Sequence, residues 1–168
     1  MAYHMLGVTL HAATRDHLVA TWQSVLILVW RDQTTLVGIK SAERFYDSLA
    51  ATNPGGVFLL NIVEPGAPVP KAEVRAAMAA FLAKRANRMI LSAVVHEGSG
   101  FHAAAVRSVV TGLALLTKLP YRHKVFATVE AAASWFAANS PVARGWGAVA
   151  LSTAVAEVRM RASKAAHA

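Results

Sequence analysis

Residues 94–112 read VVHEGSGFHAAAVRSVVTG, an apolar run that enters a glycine-broken corner and leaves it in a helix-like pattern. The corner offers His96, Glu97 and Ser99, and three kinds of chemistry would use it. Gly98 and Gly100 let the backbone approach an anion ahead of a helix N-terminus, so His96, Glu97, Ser99 and Gly100 are candidate ligand-binding residues for a phosphate or carboxylate. The motif lacks the lysine and spacing of a P-loop and is no G-x-G-x-x-G fingerprint, and Glu97 repels an anion unless a protonated His96 offsets it. Acid–base chemistry is the second possibility. Glu64 directly follows the apolar run GVFLLNIV as Glu97 follows MILSAVV, so in a sequentially ordered sheet the two carboxylates face one crevice with His96 beside them. A nucleophilic serine is the third, and EGSGF is not the G-x-S-x-G elbow. The plainer assignment is a capped turn: Ser99 as helix cap, the glycines relieving the backbone, Glu97 complementing the dipole. The residues favour that turn. No third group orients His96, and no residue is assigned as catalytic.

Metal chemistry has little support. The histidines at 4, 11, 17, 96, 102, 123 and 167 form no i, i+4 pair with a carboxylate at ligand spacing, so neither a metal nor another cofactor is expected. His102 falls on the apolar stripe of its helix and reads as a packed residue.

The elements that must position this corner alternate in period. HLVATWQ (17–23) and SVLILVWRD (24–32) read as two consecutive strands, and YHMLGVTL before them as a further one. No Asn-Gly or Asp-Gly marks a turn between the two. Ile39, Ala42, Tyr46 and Leu49 recur on one helical face until TNPGG ends the pattern. GVFLLNIV (56–63) is a short apolar run of the kind buried on both sides in a parallel sheet. After the loop EPGAPVP, a helix opening near Pro70 turns Val74, Met78, Phe81 and Leu82 inward. MILSAVV (89–95) is the next buried strand. The helix 101–118 carries Ala105, Val106, Val109, Val110, Leu113 and Leu116 on its stripe, HKVFATV follows as a last strand, and VEAAASWF as a short helix. NSPVARGWG then breaks the pattern.

Links of this length imply βα units with right-handed crossovers. The sequence thus predicts a single α/β domain, a mainly parallel sheet of about five strands over residues 1–140, with an appended amphipathic helix over 141–168. Ligands of such sheets sit beyond the carboxyl ends of the strands, which is where Glu64 and residues 96–100 fall.

Composition sets the boundaries of function. The chain has 168 residues, enough for one core, with 55% hydrophobic and only 15% charged residues, against a usual ~25% charged. A protein partner or a second copy is expected to cover apolar surface. Trp146, Leu151, Val155 and Val158, in the C-terminal segment, are the candidate interface residues. Cysteine is absent, which removes disulfides and thiolate chemistry. The net charge of +8 is spread along the chain, with KRANR (84–88) at the end of a helix as its one cluster, so nucleic acid is not the expected partner. SVLILVW is too short to span a bilayer and the N-terminus has no signal-peptide pattern, so a cytoplasmic location is expected.

The buried strand GGVFLLNIV, the unit AVVHEGSGFHAAAVRSV and the ending KVFATVEAAASWF, in this order, resemble the STAS fold in its broader SpoIIAA-like form, over roughly residues 17–138. The stretches VEPGAPVP and EGSGF are similar to a group of uncharacterised bacterial proteins. The resemblance implies a non-enzymatic, partner-binding regulatory role. In the family's signalling members a Ser or Thr at the start of the helix after a central strand accepts a phosphate, whereas residues 57–73, VFLLNIVEPGAPVPKAE, contain neither. A small-anion or weakly specified enzymatic role around Glu64, His96 and Glu97 is the alternative.

Overall fold

The computed structural model describes residues 7–100, 103–108 and 118–166. Six strands form one sheet in sequential order: β1 (Thr9–Ala13), β2 (His17–Trp22), β3 (Val25–Trp30), β4 (Val57–Val63), β5 (Met89–His96) and β6 (Arg122–Phe126). The first two pairings are antiparallel and the remaining three parallel. The sheet agrees with the expected one of about five strands, the further strand read at YHMLGVTL being the sixth. Among the described residues this strand is Thr9–Ala13, and it pairs with β2 through a register shift between Leu10 and Ala12. The turn from β2 to β3 uses Gln23 in the left-handed region, φ +52°, so the hairpin closes without the usual glycine.

Between the parallel strands lie α1 (Leu36–Thr52), capped by the Thr35 hydroxyl, α2 (Ala72–Lys84), and α3, helical over 103–108. Phe101, His102 and the stretch 109–117, with Val109, Val110, Leu113 and Leu116 of the expected stripe, lie outside the described residues. Of the stripe's described members Val106 is half-buried and Ala105 exposed, while Ala103 is buried. After β6 come α4 (Val129–Asn139), α5 (Pro141–Trp146) and α6 (Ala148–Ala165).

Sequential order decides the layers. Right-handed crossovers between successive parallel strands place their helices on one face, and α1 and α2 indeed pack there on Val19, Leu26, Leu28, Trp30, Val57 and Leu59. The opposite face, with Leu18, Trp22, Ile27, Phe58, Leu60 and Ile62, is closed by α4, α5 and α6. The residues expected to form an interface are spent on this second core: Leu151, Val155 and Val158 are 1%, 2% and 0% exposed. Trp146 stacks edge-on against Trp22 and Phe58 at 5.5 and 4.9 Å. An amphipathic pattern states that a face is buried but not against what, and here the sheet itself lacked a cover. The appended helix therefore belongs to the same core as the residues before it. Among the described residues no helix is long and apolar enough to cross a membrane.

Close packing under α1 leaves no room for a side chain at Gly38, where a Cβ would stand 2.4 Å from the Trp30 ring. Trp30 cannot yield, since its Nε1 donates to the buried Asn61 Oδ1 at 2.6 Å. Gly38→Ala should lower the unfolding free energy by about 1–3 kcal/mol, read as a shift of the urea midpoint.

Three histidines, His17 buried and His11 and His123 half-buried, are shielded enough from water that protonation is disfavoured. Desolvation lowers the pKa of His11, His17 and His123 below the ordinary 6.5, with Asp16 partly opposing it at His17. The unfolded chain then takes up protons first, so this stability is complete above pH 6.5 and declines as the pH falls through and below that value. Urea midpoints should drop between about pH 7.5 and pH 5, and His123→Gln, which removes the ring bonded to Ser92 Oγ at 2.9 Å, should flatten the decline.

Candidate functional site at the carboxyl edge of the sheet

Parity along the strands places the candidate residues. The alternation that buries Phe58, Leu60 and Ile62 continues to Glu64, and that of Leu91, Ala93 and Val95 continues to Glu97. Val63 pairs with His96, and the Glu97 amide donates to the Val63 carbonyl at 2.9 Å, so the two carboxylates leave adjacent strand ends on the α6 face. Arg31 follows Ile27 and Val29 in the same parity and leaves the neighbouring end of β3. Its Nε stands 4.0 Å from Glu64 Oε2.

The fourth member comes from 62 residues further on. Arg159 of α6 donates to both oxygens of Glu97, at 2.5 and 3.2 Å, and its Nε stands 3.7 Å from Glu64 Oε1. Glu64 and Glu97 are thus neighbours, as the strand order implied, but a guanidinium lies between them. Two arginines and two glutamates make a locally neutral, half-buried row. The sequence patterning missed Arg159, although its place beside the buried Val155, Val158 and Ala162 on α6 puts it at the margin of a core-facing stripe.

His96 does not join them. It follows Ser92 and Val94 in parity and lies beside Val63, on the α1/α2 side of the sheet, so the expected proximity of its ring to the two carboxylates fails by one residue of register. Its carbonyl and that of Gly98 accept from Arg107 at 3.2 and 3.3 Å. The 96–100 loop is thereby clamped by the helix it feeds. Ser99 and Gly100 are exposed, and Gly98 and Gly100 take φ of +127° and +89°, values that explain the glycines without a ligand.

Beside Arg159 the surface forms an open concavity of roughly 400 Å³ between α4 and α6, lined by Glu97, Thr128, Glu130, Ser152 and Val155. Thr128 spends its hydroxyl on capping α4 through the Ala131 amide. Ser152 donates to the Ala148 carbonyl. What faces the concavity as free charge is Glu130. Among the described residues no three His, Asp or Glu side chains gather as a metal site would require.

No family model matches the chain, and no curated protein matches it. Among solved structures it is similar to an uncharacterised protein of the DUF3478 family from Shewanella loihica, whose structure is described as having a SpoIIAA-like fold. Sequence identity is 13% and the TM-score 0.44, over 80% of this chain and 98% of that one.

Arg159→Met should leave two partly buried carboxylates without their shared counter-charge and reduce unfolding free energy by about 1–3 kcal/mol. Adding Glu64→Gln and Glu97→Gln to Arg159→Met should recover part of that loss, a non-additivity that denaturant titration of the single, double and triple variants would reveal.

Proposed function

We propose that the protein is a non-catalytic interaction domain that meets a protein partner, or a second copy of itself, through the carboxyl edge of its sheet on the α1/α2 side. The observation that carries this reading is the apolar exposure there. Leu36 and Val37 at the start of α1 are 42% and 72% exposed, and Val69 in the loop before α2 is 65% exposed. β3 and β4 are parallel neighbours, so the segments that leave them emerge at the same edge. The loop EPGAPVP carries three prolines, which limits the entropy lost when a partner orders it.

The state of the two carboxylates speaks against acid–base work. A general base needs an oxygen lone pair aimed at substrate, and both Glu97 oxygens already accept from Arg159 while Glu64 lies between Arg159 and Arg31. The same pairing uses the positive charge that an anion would need.

Light scattering on the purified chain should give a mass above 17.8 kDa, or cross-linking in its native cell extract should trap a defined second protein. Val37→Asp with Val69→Asp should abolish whichever association is found while leaving the unfolding curve nearly unchanged. A folded double variant with unaltered mass and unaltered cross-links would sink the reading.

A further inference from the structure

We propose that the free edge of β6 receives an extended acidic peptide segment of another protein as a seventh strand. This surface is separate from the α1/α2 edge and does not depend on it.

Among the described residues β6 is the last strand of the sheet and pairs with β5 alone. Its register with β5 runs without a shift, so its outer side presents a regular alternation of backbone donors and acceptors, and no strand among the described residues pairs with it. The opposite edge is built otherwise. There the β1 pairing is irregular between Leu10 and Ala12, and Arg161 from α6 occupies the Val8 carbonyl at 2.9 Å.

The side chains along β6 define the partner's chemistry. Arg122, Lys124 and Phe126 pair with Leu91, Ala93 and Val95 and therefore share the α4 face. Arg122 and Lys124 are exposed. The Lys124 ammonium stands 5.5 Å over the Phe126 ring, which rests against Trp135 at 5.5 Å, and Arg122 reaches the Asn139 carbonyl at 3.5 Å. Two cations at alternate positions beside an aromatic platform fit a strand whose alternate side chains are carboxylates. No carboxylate among the described residues is ion-paired with either cation.

A second copy does not complete this edge. β1 reads TLHAA and β6 reads RHKVF, so neither edge strand holds an acidic residue. A β6–β6 pairing would set Arg122 and Lys124 against their own kind, and a β1–β6 pairing would bring no counter-charge. Nucleic acid would use the cations but leave the backbone ladder open, which favours a peptide.

The test uses the full chain and a blocked peptide of alternating Glu and Val, with a Lys/Val peptide as control and a single-stranded oligonucleotide of matched charge as competitor. The Glu/Val peptide should bind saturably, and the amides of β6 that point away from β5 should exchange more slowly with solvent when it is bound. Arg122→Glu with Lys124→Glu should weaken that binding by about tenfold or more and turn preference toward the Lys/Val peptide. An unchanged urea midpoint would show that the variant remains folded. The proposal fails if the Glu/Val peptide does not bind at millimolar concentration, or if it binds without protecting β6. Tighter binding of the oligonucleotide, with no protection of β6, would assign the two cations to nucleic acid and overturn it as well.

Discussion

A parallel sheet whose strands follow one another in sequential order carries its crossover helices on one face and leaves the other bare. Everything else in this chain follows from that constraint. The bare face here holds Leu18, Trp22, Ile27, Phe58, Leu60 and Ile62, and the chain after β6 has to supply its cover. Burying Leu151, Val155 and Val158 contributes roughly 1.5–3 kcal/mol for each side chain, more in sum than the half-exposed ion pairs of Arg159 can supply. Hydrophobic burial therefore holds α6 in place. Arg159 contributes register, since its fork reaches both carboxylates in one position of the helix along the sheet.

The same geometry explains why the carboxyl edge is electrically quiet. Arg31, Glu64, Glu97 and Arg159 sum to zero, so the whole of the +8 net charge is carried elsewhere. Field focusing of an anion into this edge would need an excess of positive charge that the row does not have. A pair of carboxylates at neighbouring strand ends has two very different meanings according to what stands between them. With water or substrate between them they form an acid–base pair, and with a guanidinium between them they are a clasp.

Parity was the most legible property of the sequence. The runs VFLLNIV and MILSAVV and the helix carrying Ile39, Ala42 and Tyr46 are recovered where periodicity puts them. Parity also contained the adjacency of Glu64 and Glu97 and the exclusion of His96, because consecutive residues of a strand face opposite ways. What local pattern could not hold is information carried by distant residues. The stripe of α6 is visible, but its target depends on which sheet face the crossovers leave open, and the Arg159–Glu97 pair joins residues 62 apart. The β2–β3 turn was blurred by a glutamine doing what a glycine more often does.

The composition takes on a different sense once both sheet faces are seen to be covered. A chain with 55% hydrophobic and 15% charged residues suggests a subunit interface if only one face of a sheet is buried in the monomer. Here the sheet is the middle of three layers, and its strands are apolar on both sides, with β3 fully buried from Val25 to Trp30. Most of the apolar excess is consumed inside the fold. The large apolar side chains still exposed among the described residues are Leu36, Val37, Val69, Val142, Val149 and Met160. Three of these stand where α1 and the loop before α2 leave the sheet, and none belongs to the stripe of α6. The exposed apolar side chains are consequently divided between the α1/α2 edge, with Leu36, Val37 and Val69, and the outer sides of α5 and α6, with Val142, Val149 and Met160, while the clasp and the buried stripe of the C-terminal helix close the second sheet face.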